Sequence, residues 1–208
     1  LGQGLLVWHA CRKRNEGLDL DQLADWVENN KLRLCHWVTV DDLDHLKRGG
    51  RVSATTAFVG GLLNIKPIIH VDNDGKLETV GKVRGRKAAM EYLVKQMVET
   101  GSAEDNETIT IAHGDCPEDA AALEALVRQR CPYVKNVITG YVGGVIGAHT
   151  GPGVLVVFFL GSKRCPHQRS CSRQRTHSND SHNEYICKNG IKCTPHSHKV
   201  WPGMLNGT

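Results

Sequence analysis

Thr39–Asp72 reads TVDDLDHLKRGGRVSATTAFVGGLLNIKPIIHVD. Its pattern predicts a short polar helix, a double-glycine turn, a nearly charge-free helix over Ala54–Leu63 and a buried strand from Lys66 to Val71. Two arginines flank the glycines, as Arg48-Gly49-Gly50-Arg51. Ser53 stands where the next helix needs an N-cap. Exposed backbone N–H groups, a helix start and two guanidiniums together can gather an anion. An anion-holding turn that opens into an apolar helix suits an amphiphile with a charged head. The plainer reading is a helix–turn–helix whose apolar side is ordinary core and whose arginines are solvated.

Working outward, strands alternate with helices. Leu1–Asn15 and the segment from Asp19 to about Asn30 are expected as two helices, the first with Leu1, Leu5, Trp8 and Cys11 on one face, the second opened by an Asp19/Gln22 capping box. Two such helices, with no strand between them, cannot bury their apolar faces by themselves and need a sheet from elsewhere. Arg33–Val40 is rich in β-formers, and Thr39 with Asp42 marks the helix after it. Asn73-Asp74-Gly75 is a hairpin turn with Leu77–Val83 as the return strand. A helix follows over about Arg86–Glu99. Its basic start (Lys82, Arg84, Arg86, Lys87) opposes the helix dipole, so it needs an anionic partner or plain solvation. Thr108–Ala112, a helix from Pro117 to about Arg130, Asn136–Val142 and Val154–Leu160 complete an α/β domain with a mixed sheet.

Composition bounds the function. The chain has 208 residues, 40% hydrophobic and 23% charged, as in soluble globular proteins. No apolar run approaches membrane-spanning length. The start, LGQGLLVWHA, has no initiator Met and no basic segment of a secretory signal, and reads like the middle of a longer chain. Residues 1–161 carry a net charge of −2 and residues 162–208 carry +6, so the basic balance belongs to the tail. That speaks against nucleic-acid binding by the folded part. Cys11, Cys35, Cys116 and Cys131 are scattered and read as reduced cytosolic thiols.

Tyr141–Gly153 holds five glycines without the Gly-Lys-Ser/Thr of a phosphate loop or the GxGxxG of a dinucleotide fold, so a nucleotide site is rejected. His149 lies between a small-residue helix and a Gly-Pro-Gly turn, where an imidazole can donate to a carboxylate or phosphate. A structural hydrogen bond is the alternative.

Three motifs then fall in order. DDLDHLKRGGRVSATTAFVGGLLNIKPIIHVDNDGKL (41–77) resembles the signature of the DegV family. GKVRGRKAAMEYLV (81–94) is similar to its basic helix start, and GAHTGPGVLVVFF (147–159) to its C-terminal motif. The resemblance covers Leu1 to about Gly161. It implies a bacterial, cytoplasmic, non-catalytic protein that needs no cofactor. Such a protein binds a long-chain fatty acid and presents it to a separate fatty acid kinase catalytic subunit, with transient membrane contact. His149 would face the carboxylate or acyl phosphate. Arg48, Arg51, Arg84 and Arg86 would contact phosphate or dock the kinase, though Gly85 stands where a hydroxyl residue is expected. Phe58, Val59, Leu62, Leu63 and Ile68 would line the acyl chain. The implied fold is a DegV-type C-terminal α/β domain over 35–161. Residues 1–34 would then be two helices left from an N-terminal α/β domain whose head-group hydroxyls are absent from this sequence.

Residues 162–208 are expected to be a low-order tail. Cys165, Cys171, Cys187 and Cys193 with five histidines invite a zinc reading, but their C-x5-C pairs are wider than zinc modules use. No metal site is assigned, and a solvated or artefactual extension fits better. Two rival functions remain. One is phosphoryl or acyl transfer by His149 and nearby arginines; the other is metal binding by the tail.

Overall fold

In the computed structural model the described residues are 1–41, 43–51, 64–162, 185–186 and 192–193. Leu1–Pro166 and His167–Thr208 form two compact units. Within the first, α1 (Gly2–Asn15) and α2 (Leu20–Asn30) lead through a short 3-10 turn into β1 (Leu34–Thr39) and α3 (Asp44–Arg48). Then come β2 (Ile65–Val71), β3 (Leu77–Arg84), α4 (Arg86–Thr100), β4 (Thr108–His113), α5 (Pro117–Arg130), β5 (Asn136–Tyr141), α6 (Gly144–Thr150) and β6 (Leu155–Leu160). In the second unit, β7 (Tyr185–Ile186) pairs antiparallel with β8 (Lys192–Cys193).

The sheet is six-stranded and mixed, in the order β3-β2-β1-β6-β4-β5. Only β4 and β5 run parallel, joined through α5. The last strand of the unit is inserted at its centre. β6 is LVVFFL with every residue buried, the unbroken apolar run of a strand covered on both faces. It pairs antiparallel with β1 from Leu34↔Leu160 to Thr39↔Leu155, and with β4 from Thr110↔Phe158 to His113↔Leu155.

Alternation divides the core in two. Cys35, Trp37, Ile109, Ile111, Leu155, Val157 and Phe159 face α4 and α5, where Leu93, Met97, Leu123 and Val127 are fully buried. Val38, Val154, Val156, Phe158 and Leu160 face the other way, toward α1 and α3. Asn106, with no exposed surface, staples the lower edge. Its Nδ2 donates to the Ser102 and Leu160 carbonyls at 2.8 and 2.7 Å, and its Oδ1 accepts from Leu160 N–H at 2.8 Å.

Several expectations change here. The sheet the first helices needed is this one: α1 lies on it through Leu5 and Gly2, the latter against His36 and Phe158. Its buried stripe is Gly2, Leu5 and His9, rotated from the Leu1–Leu5–Trp8–Cys11 face, and Cys11 is exposed. The capping box of α2 is present, with Gln22 N–H donating to Asp19 Oδ1 at 2.9 Å. Thr39 ends β1 instead of starting a helix. Its pairing with Ile68 and Leu155 outweighs the local capping signal, and α3 shrinks to five residues. The Asp42 signal, the Ser53 cap, the Ala54–Leu63 helix and most of the tail lie outside the described residues.

Candidate functional site

The face of the sheet turned toward α1 and α3 is only partly covered. What remains open is a cleft of about 710 Å³, within the range of about 300–1,000 Å³ typical of small-ligand sites. Its floor is apolar: Val38 from β1, Ile69 and Val71 from β2, Ala112 from β4, Val156 and Phe158 from β6. Leu1, Gly2 and Gln3 of α1 bound one side, the Gly75–Leu77 hairpin another. Leu46, Gly50 and Arg51 from the α3 turn, with Val142, Ile146, His149 and Thr150 around α6, form a polar corner.

That corner is assembled by contact between two helix ends. His149 lies in the last turn of α6, and its ring sits on Gly49, which ends α3. His45 of α3 in turn sits on Gly151, which ends α6 with φ +74. Only residues without a Cβ allow either approach. Arg51 Nη1 donates to the Gly49 carbonyl at 2.8 Å, so its guanidinium folds back over the same turn. Arg48 Nη2 donates to His45 Nδ1 at 3.2 Å and is exposed. Thr150, buried beside His149, donates its hydroxyl to the Ile146 carbonyl at 2.8 Å.

The predicted residues divide accordingly. His149 and Arg51 meet at the cleft, and Arg48 stands outside it on the same turn. Arg84 is exposed at the end of edge strand β3, and its side chain makes no hydrogen bond or ion pair among the described residues. Arg86 is internal: Nε donates to Asp119 Oδ2 at 2.7 Å, Nη2 to Cys116 Sγ at 3.4 Å, and Nη1 lies 3.9 Å from Asp41. The anionic partner its position demanded is therefore Asp119 of α5, within the fold. Lys66 Nζ, mostly buried, completes the network by donating to Asp41 Oδ1 at 2.6 Å. Burial pushes the Cys116 thiol up, and nearby Arg86 only partly offsets it, so this sulfur is a packed group and not an activated nucleophile.

Ile68 also moves. It is fully buried in the α4/α5 core, while Ile69 and Val71 face the cleft. A bulge between Ile68 and Ile69 shifts the β2–β3 register there, with Ile68↔Gly81 followed by Ile69↔Thr79. Phe58, Val59, Leu62 and Leu63 lie outside the described residues. The floor residues of β6 and the Thr150 hydroxyl were missed by motif reading. The alternation of Val154, Val156 and Phe158 marked one face of β6, but no local signal told which face was open. Among the described residues no group of three His, Cys, Asp or Glu could hold a metal ion, and no helix is long and apolar enough to cross a membrane.

An apolar cleft with a histidine and an arginine at one corner has the chemistry to hold a small amphiphile. Residues 1–162 match the family described as "Uncharacterised protein, DegV family", and the chain belongs to that family. A DegV domain-containing protein of Clostridium perfringens is 47% identical over 166 residues, 80% of this chain and 57% of that protein. The chain spans little more than half the length of the curated relatives it matches. Among solved structures, a Thermus thermophilus DegV family protein described by its fatty acid binding shares 31% identity at a TM-score of 0.66, covering 77% of this chain and 57% of that one. The Streptococcus pneumoniae fatty acid kinase B3 protein, loaded with linoleic acid, has a TM-score of 0.66 at 22% identity, over 75% of this chain and 54% of its own, a likeness of fold.

Proposed function

We propose that the chain binds a long-chain fatty acid along the cleft, with the carboxylate at the corner made by His149 and Arg51. The acyl chain lies on Val38, Ile69, Val71, Val156 and Phe158, and the protein presents the carboxylate to a separate kinase subunit that phosphorylates it. The observation that carries this reading is an apolar sheet floor in the same cleft as the His149 and Arg51 side chains, with His36 and Lys76 on its other walls. The DegV relatives described as fatty acid binding support the ligand class, and the fold shared with a fatty acid kinase subunit supports the partnership. Arg48 and Arg84, exposed and outside the cleft, are the residues we assign to the incoming phosphate or the kinase surface. Arg86 has no such role, because its charge is spent on Asp119 and Asp41. In this reading the protein is a cytoplasmic carrier that performs no chemistry itself and collects its ligand by brief contact with the membrane.

The test is titration of the chain with palmitate and with 1-hexadecanol by calorimetry. Palmitate is expected to bind at one per chain and more tightly than the alcohol. Equal affinity for the two would refute the carboxylate corner, and failure of both would refute the cleft as an acyl site of this chain. For the partnership, ATP-dependent acyl phosphate formation by a fatty acid kinase catalytic subunit should require this chain. Turnover of free palmitate at the same rate without it would refute presentation.

A further inference from the structure

The α3–α6 corner contains a histidine that the proposed function leaves without a role. His45 and His149 are related reciprocally. Each projects from one helix onto the glycine that ends the other: His149 onto Gly49, His45 onto Gly151. A Cβ on Gly151 would fall 2.8 Å from both Cγ and Nε2 of His45, so the ring lies flush on that backbone. The other ring nitrogen, Nδ1, is engaged by Arg48 Nη2 at 3.2 Å. A guanidinium has donors and no acceptor, so Nδ1 must offer a lone pair and the imidazole must carry its single proton on Nε2.

We propose that His45 is a positioning residue of the head-group corner, fixing the direction of Arg48 through its Nδ1 lone pair and the seat of His149 through its packing on Gly151. Its functional consequence rests on the fatty-acid reading above; the positioning itself does not. The two effects separate by chemistry. Phenylalanine keeps a flat ring on Gly151 but has no acceptor. Asparagine puts an acceptor oxygen near the Nδ1 position but has no ring. A purely structural histidine would be replaced better by Phe than by Asn for every property.

The experiment is NMR of the isotope-labelled full chain. The parent is expected to show His45 in the Nε2–H tautomer and an ordered Arg48 Nε–H. His45→Phe should release Arg48 to the motion of a free surface arginine while leaving the His149 ring resonances in place. His45→Asn should keep Arg48 ordered and shift His149. In titrations, His45→Asn, by displacing His149, should lower the preference for palmitate over 1-hexadecanol roughly tenfold or more, the scale of one hydrogen bond to a charged group, and His45→Phe should leave it, because Arg48 lies outside the cleft. A proton on Nδ1 in the parent overturns the proposal without any variant. So does an Arg48 equally ordered in the parent and in His45→Phe. If the parent binds no palmitate, the fatty-acid reading fails, and the tautomer and Arg48 dynamics still decide the positioning role.

Discussion

Replacing Gly49 by alanine tests the corner with a single methyl group. Gly49 has φ −76 and ψ −1, an ordinary right-handed conformation, so alanine meets no backbone penalty there. Fewer unfolded conformations should even stabilise the chain by about 0.4–1 kcal/mol. The whole cost falls on one neighbour. The new Cβ would lie roughly 1 Å inside van der Waals contact with His149 Nδ1, and the nearest atoms to it are all in that ring. The imidazole must swing away, since the methyl group is fixed to the backbone. If His149 donates to the bound carboxylate, losing that charge-assisted bond costs about 1.5–3 kcal/mol, roughly 10- to 100-fold in Kd. Gly49→Ala should therefore match His149→Ala in palmitate affinity, and the double variant should be no weaker than either single one. Calorimetry measures the affinities and a thermal melt confirms the unchanged fold. The reasoning is refuted if Gly49→Ala binds palmitate like the parent while His149→Ala does not, or if a crystal structure of the variant finds His149 unmoved.

Other outcomes follow from packing and charge. His9 is 7% exposed, lies between the Trp8 and Trp26 rings, and is lowered by burial, reinforced by Arg12, Lys13 and Arg33, from 6.5 to about 4, against the pull of Asp105. The unfolded chain takes up this proton first, so stability is full above pH 6.5 and declines as pH falls toward 4, by at most about 3 kcal/mol; urea unfolding at pH 7 and pH 5 should show a loss that His9→Phe reduces. Ile68→Ala should cost about 2–5 kcal/mol in denaturant unfolding with palmitate affinity unchanged, because its side chain belongs to the other core. Val71→Trp should instead exclude palmitate with little loss of stability, and equal binding by Val71→Trp would remove β2 from the acyl path. Arg86→Met should lower stability by about 1–3 kcal/mol, since the half-buried Asp119 loses its partner while exposed Asp41 keeps Lys66, whereas Arg84→Ala should stay within about 0.5 kcal/mol; the reverse ranking by thermal melt would contradict the assigned pairing.

The corner was legible in part because its components are local. Arg51 follows a double glycine, and His149 precedes Gly-Pro-Gly, so both could be singled out by their neighbours in the chain. Their meeting was not legible, because Gly49 and His149 are a hundred residues apart and touch only once α3 and α6 are brought together. Arg86 misled for the opposite reason. In sequence it is one of four basic residues at a helix start, and the carboxylate that neutralises it lies on α5, 33 residues away.

By itself, the sequence determined the elements whose causes are short-range. Pro117 at the first turn fixes where α5 begins, Asn73-Asp74-Gly75 makes the β2–β3 hairpin, and the apolar run Val154–Leu160 has the length and residues of a strand. Three ordered motifs also determined the family. The tertiary structure alone decided which strand neighbours which and which face is open. Insertion of β6 between β1 and β4 depends on pairing partners more than forty residues apart. The register of β2 against β1, with Val38 opposite Ile69, decides that Ile69, not Ile68, meets the cleft. Side chains along a strand alternate with period two, so a register one residue different would exchange the two faces, and no window of local sequence records the register with a distant strand.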